Sequence, residues 1–330
     1  MRAFEYASPT TKEQAVGLLG SSWADAQVLA GGTDLLALMK DDVVHPRRLV
    51  NVKSIAGMDR ISFNPRAGLQ VGALARLQDF ADNADVRRHY PTLAEAADDA
   101  ASPQIRHMAT LGGNLCQRPR CWYFRNGFGL LATVNGKSAV PQGDNRYHAI
   151  LGNEGPAYFV SPSSVAPALI AHGAKVRIFG PRGAREVALA DFYRIPRSEE
   201  EREYALEPNE IITDILLPPP PAGFRAAHYE VRQKVAFDWP LATASVGLEM
   251  NGNTVRAARV VLGHVAPKPW VSAEAAQELA GKTITEQVAD AAGKAAVRNA
   301  KGLGRNDYKI QLTRVAIKRA LLQAAKGGRA

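Results

Sequence analysis

The chain has 330 residues, 46% of them apolar and 22% charged, with a formal net charge of +9. That length calls for two or three domains with ample core, in an ordinary globular composition. Two cysteines exclude a disulfide framework. No apolar run reaches the ~18 residues of a membrane helix, and the scattered positive charge lacks a nucleic-acid-binding signature.

In chain order, Phe4-Glu5-Tyr6 predicts a short strand that begins directly, with no export signal ahead of it. The cytoplasm is therefore the expected location, with export beside a signal-bearing partner subunit as the alternative. Ser8-Pro9-Thr10 predicts a turn and cap, and Lys12 to Leu19 a short amphipathic helix. Val28, Leu29 and Ala30 then form an apolar run ending in Gly31-Gly32, with Thr33, Asp34 and Leu35 opening a new apolar stretch. This predicts strand, tight glycine turn and helix start. Backbone N–H groups exposed without a Cβ, beside the positive end of a helix, suit a phosphate or pyrophosphate. Pro46 closes that helix, and Arg48 to Val52 predicts the next strand, completing a first lobe of three strands and two helices.

Gly68 to Ala73 opens a second lobe with a strand. Ala75 to Phe80 and Pro91 to Ala101 predict helices. A second glycine pair follows in Thr110, Leu111, Gly112, Gly113 and Asn114. Either pair alone is as readily an ordinary turn. Residues 116–150 show no clear periodicity, and about 30 such residues is long for a connection within a compact domain. Tyr158 to Leu169 predicts strand, serine-rich turn and capped helix. Lys175 to Gly180 with Arg185 to Leu189 predicts a hairpin, Ile211 to Leu217 a strand, and Pro218 to Pro221 a stiff linker. Beyond it, Phe224 to Gln233, Leu241 to Met250 and Val255 to Val265 alternate as three strands, turning at Asn251-Gly252-Asn253. The remainder predicts helices over Ser272 to Ala280, Thr285 to Ala300 and Asn306 to Ala325.

The two glycine loops together, in this order, resemble those of the FAD-binding (medium) subunits of the molybdenum hydroxylases. That group includes xanthine dehydrogenase, carbon monoxide dehydrogenase, bacterial aldehyde oxidoreductases and 4-hydroxybenzoyl-CoA reductase. The resemblance runs from Phe4 to the last helix. It implies an α+β fold: a two-lobed FAD-binding domain of the PCMH/vanillyl-alcohol-oxidase type, then a C-terminal domain of a three-stranded antiparallel sheet plus helices. The implied domains are 1–56 for the first lobe, 57–220 for the second with its insertion 116–150, and 221–330 for the last.

The resemblance also implies non-covalent FAD, held by residues 28–35 and 110–114. Ser164 stands where the family often has a flavin-contacting aspartate, and an N-cap role is the alternative. Ile212 falls on the adenine side, and Arg232 where some members place a lysine near the flavin. Trp239 is a candidate wall of the pocket, though a buried aromatic is usually core. The implied function is electron transfer, with electrons arriving from iron–sulfur centres and leaving for an external acceptor. The implied partners are a molybdenum-cofactor large subunit and a 2Fe–2S small subunit. No catalytic side chain is required, because the flavin carries the redox chemistry, and none of the common catalytic motifs is present. A stand-alone FAD oxidase or reductase of the same fold is the alternative.

Cluster-bearing relatives hold a 4Fe–4S cubane in the insertion, and Cys121 matches its first ligand. Such a cluster takes four thiolates. Cys116 and Cys121 are the only cysteines in the chain, and Leu130 lies near where another ligand would stand. The expectation is an insertion without a cluster, with Trp122, Tyr123 and Phe124 packed inward. His148 is read as a surface or core histidine rather than a metal ligand.

Overall fold

The computed structural model describes residues 1–234 and 237–327. The expected end of the last domain, 328–330, lies outside the described residues.

The first lobe is a βαβ arrangement. Strands Glu5–Ala7, Arg48–Asn51 and Ala26–Leu29 lie parallel in that order, with Lys12–Leu18 and Leu35–Lys40 as crossover helices. The Thr11 side chain caps the first helix by accepting from the Gln14 N–H at 3.2 Å. Parallel strands bring the carboxyl end of Ala26–Leu29 to one edge, and the glycine pair leaves from that edge.

The second lobe is an antiparallel sheet of five strands, ordered Ile61–Asn64, Gly68–Gly72, Ile211–Leu217, Lys175–Gly180 and Gly183–Ala188. One apolar core joins both lobes, from Ala15 and Val50 to Val71, Phe80 and Ile215. The expected strand at Tyr158 to Val160 does not form. Only isolated bonds, such as Ala149 N–H to Tyr158 O at 2.8 Å and Ser161 N–H to Ala266 O at 2.9 Å, satisfy this stretch. Pro156 and Pro162 cannot donate to a ladder.

The last domain has four strands rather than three: Phe224–Val231, Ala242–Asn251, Thr254–Gly263 and the two-residue Trp270–Val271. The fourth is too short to alternate, and prolines 267 and 269 precede it. Helices Ala273–Leu279, Glu286–Ala296 and Tyr308–Ala325 complete the domain, around a core that takes in Ile150, the last residue of the insertion, and Leu151 after it.

The insertion is an ordered strap. Phe124, Leu130, Leu131 and Phe159 pack on Leu38, from the helix after the first glycine loop. Leu130, expected near a lost ligand position, is 4% exposed in this apolar cluster. Phe124 turns inward as expected, whereas Trp122 and Tyr123 are half-buried. Their polar ends bind Asp144, with Trp122 Nε1 donating to its carbonyl at 3.2 Å and its N–H donating to Tyr123 Oη at 2.8 Å.

Candidate functional site: a cleft between two glycine loops

A cleft opens between the lobes, with about 1070 Å³ of space, part of it continuous with solvent. Residues 30–35 form one wall. Among the described residues, no backbone N–H from Gly31 through Leu35 has a protein acceptor; the first helical donor that does is Leu36, to Gly32 O at 3.2 Å. Such donors are normally satisfied, and five in succession on residues that line a cleft are suited to an anionic ligand.

The second loop is a short helix, Leu111–Leu115, rather than an open turn. Its donors are already used. Leu111 and Gly112 bond Ala75 O and Ala73 O at 2.8 and 2.9 Å, and Asn114 bonds Thr110 O at 2.8 Å. Gly113 N–H goes to Thr110 Oγ1 at 3.1 Å. The first loop therefore offers backbone donors, and the second offers shape.

The four glycines have different tasks. A Cβ on Gly31 would lie 1.9 Å from the Met108 carbonyl oxygen, so this glycine lets the first loop pass against the segment leading to the second. Gly32 has φ +75, in the left-handed region that favours glycine. A Cβ on Gly112 would meet Ala73 at 2.8 Å, whereas one on Gly113 would meet only Thr110 Oγ1 within 4 Å. Gly113→Val should therefore fold, with a cost of about 1 kcal/mol for a disturbed Thr110 cap. It should still lose flavin affinity, because its methyls enter the cleft. Flavin titration beside a thermal melt checks this, and unchanged affinity would remove Gly113 from the site.

Asp34 lines the cleft, but its carboxylate is committed elsewhere. Oδ2 accepts from the Arg118 N–H at 2.8 Å and Oδ1 from Arg125 Nη2 at 2.7 Å, and Arg120 Nη1 forms an ion pair with Oδ1 at 3.0 Å. The Arg118 side chain, also in the cleft wall, donates from Nε to Glu203 at 2.8 Å.

Of the expected residues, Val28, Ala30, Gly31, Gly32, Thr33, Asp34, Leu35, Thr110, Gly112, Gly113 and Ile212 line the cleft. Leu29 and Leu111 are instead buried in core behind the loops. Asn114 and Ser164 stand behind the wall. It is Ser163, not Ser164, that reaches the second loop, donating to Asn114 Oδ1 at 2.6 Å and accepting from the Ala166 N–H at 3.1 Å. Arg232 does not reach the cleft: it pairs with Glu230 and donates to Asp99 O at 2.5 Å. Trp239 is 43% exposed under the Arg120 guanidinium, 4.9 Å from its ring centroid, and does not wall the cleft.

Trp23, Cys116, Arg118, Arg202, Tyr204 and Leu206 also line the cleft, and no local spacing marked them. Burial pushes the Cys116 thiol up to about 12, so it is not a thiolate. Cys121 lies in the strap, its Sγ 3.2 Å from His148 Nε2. Burial, and then Lys309, hold the His148 imidazole down at about 4. Among the described residues, no three His, Cys, Asp or Glu side chains converge to hold a metal, and no helix is long and apolar enough to cross a membrane.

A family profile described as FAD binding domain in molybdopterin dehydrogenase matches residues 2–220. A second, CO dehydrogenase flavoprotein C-terminal domain, matches residues 227–324. The chain is 36% identical over 276 residues to the aldehyde oxidoreductase FAD-binding subunit PaoB of Escherichia coli K12, covering 82% of this chain and 84% of that one. It is 29% identical to the carbon monoxide dehydrogenase medium chain of Hydrogenophaga pseudoflava, covering 96% of each. A solved carbon monoxide dehydrogenase from that organism, lacking the Mo-pyranopterin moiety, superposes with a TM-score of 0.78 at 28% identity over 99% of each chain. With both domain profiles matched in order, and the donor-rich loop facing the cleft they predict, the chain belongs to the FAD-binding subunits of the molybdenum hydroxylase family.

Proposed function

We propose that this chain binds FAD non-covalently in the cleft between the two glycine loops. In this reading it passes electrons from a 2Fe–2S small subunit to an external acceptor, within a complex whose large subunit carries the molybdenum cofactor. The carrying observation is the run of free N–H groups from Gly31 to Leu35. These donors suit the pyrophosphate, while Val28, Leu74, Ile212 and Tyr204 supply apolar walls. FAD, when bound, supplies the redox chemistry. The chain's own residues bind it, orient it and exclude water. The protonated Cys116 thiol supports non-covalent attachment. Domain divisions near residues 56 and 220, and placement in the cytoplasm or export with a partner subunit, belong to the same reading.

Purification from the native host tests it. The chain should arrive with two further subunits and a visible flavin band, and acid precipitation should release the flavin. A wild-type chain that takes up no FAD from excess cofactor would overturn the assignment, as would small-substrate oxidation at ordinary rates by this chain with FAD alone. The separately expressed, anaerobically purified subunit should carry no iron or sulfide. About four irons per chain would show that non-thiolate ligands complete a cubane around Cys121.

A further inference from the structure

Asp34 lies within the donor-rich loop, where a bare carboxylate would repel a pyrophosphate. Its side chain is 15% exposed, and both oxygens are occupied by the strap: the Arg118 N–H on one, the Arg120 and Arg125 guanidinium groups on the other. Arg125 is itself fixed, donating from Nε to Pro119 O at 2.9 Å and from Nη2 to Arg118 O at 3.1 Å. Arg118 continues to Glu203 at 2.8 Å. Glu199 receives the N–H groups of Leu130 and Leu131 at 2.5 and 3.0 Å. The strap is thus tied to the first glycine loop through residues 118–125, and to the 199–203 segment through Arg118, Leu130 and Leu131. Arg125 does not line the cleft.

We propose that Asp34 is a positioning residue that acts on the flavin through the strap: its carboxylate, held by Arg118, Arg120 and Arg125, fixes the Gly31–Leu35 loop with its N–H groups facing the cleft. The physical case has two parts. The two cations neutralise the carboxylate, removing its repulsion of the phosphates. Charge-assisted hydrogen bonds from a packed strap also restrict a glycine turn that would otherwise sample many conformations, lowering the ordering cost of binding. Arg125 therefore contributes to cofactor affinity from outside the cleft. This inference rests on the reading of the cleft as the FAD site.

A double-mutant cycle on the full-length chain tests it, with FAD affinity measured by titration. Asp34→Ala should weaken FAD about tenfold, and Arg125→Ala, remote from the cleft, should weaken it by a similar factor. The double variant should be no weaker than the worse single variant, a coupling of about 1.4 kcal/mol for that tenfold. Arg125→Lys, which keeps the charge, should recover part of the loss. Asp34→Ala should also make residues 126–144 more sensitive to protease in the flavin-free chain. Losses that multiply would overturn the proposal, as would a weakened Asp34→Ala beside an unchanged Arg125→Ala, because both mean that Asp34 touches the flavin directly. If the wild-type chain bound no FAD, the cleft reading would fall, and protease sensitivity would still decide whether Asp34 holds the strap. Should either variant misfold, Asp34→Asn and Arg125→Gln carry the same cycle with the charges removed and much of each side chain kept.

Discussion

Gly31→Val should yield a chain that carries no flavin and melts well below the wild type. The first added atom already lies 1.9 Å from the Met108 carbonyl oxygen and 2.8 Å from its carbon. That neighbour is backbone, held by the Met108 N–H bond to Ile105 O at 3.0 Å, so it cannot rotate aside. The first loop must move instead. Overpacking of a rigid site costs about 1–3 kcal/mol or more. The effect on binding is larger. Hydrogen bonds to a charged group contribute roughly 1.5–3 kcal/mol each, so turning two N–H groups away weakens FAD on the order of a hundredfold or more. Flavin content after purification and an FAD titration measure this. Gly17→Ala is the matched control, because a Cβ there meets nothing within 4 Å. Wild-type flavin occupancy in Gly31→Val would mean that the loop does not hold the cofactor.

How much of this was legible in the sequence depends on how local each feature is. Strand, glycine pair and helix over residues 26–40 are neighbours in the chain, so the first loop and its lobe could be read directly. The second pair was legible as a motif, but not as a capped helix. That depends on Thr110 and on Ala73 and Ala75, which take its N–H groups from the neighbouring segment. Periodicity marked neither Trp23 nor Tyr204, which the fold brings into one wall across the lobe boundary. Arg232 stands just past the end of strand Phe224–Val231, where Glu230 and the Asp99 carbonyl hold its guanidinium, and neither partner is visible in a local pattern. The strap was opaque for the same reason. Its apolar cluster takes Leu38 from the helix after the glycine loop, Phe124 from a short helix, and the rest from a turn at 130–131 and irregular chain at 157–159, so no window of sequence shows a period. Asp34 was legible as part of the loop, while its partners in the strap are long-range and were not.

Lys309→Met should detach the far end of the strap from the C-terminal domain. Lys309 is 1% exposed, and its Nζ donates to Tyr147 O, His148 O and His264 O at 3.2, 3.1 and 2.6 Å. His148 O keeps a second donor in Asn306 Nδ2 at 3.1 Å and Tyr147 is 37% exposed, so methionine leaves the buried His264 carbonyl unsatisfied. That loss costs about 1–3 kcal/mol, and the melting temperature should fall by roughly 2–10 °C. The pH dependence separates this from simple cavity formation. Burial pushes the Lys309 amine from 10.5 down to about 7 in the folded chain. Between those values the unfolded chain binds a proton that the folded chain does not; the folded amine is then neutral, with two N–H donors among the three carbonyls, and this residue's contribution to stability rises with pH across the window and falls away as pH drops toward 7. Methionine does not titrate. The gap between wild type and Lys309→Met should therefore be smallest near pH 7 and widen toward pH 10.5, as thermal melts across that range will show. A gap that narrows as pH rises would mean that the buried amine keeps its proton, with the three carbonyls holding the ammonium form against the cost of its burial.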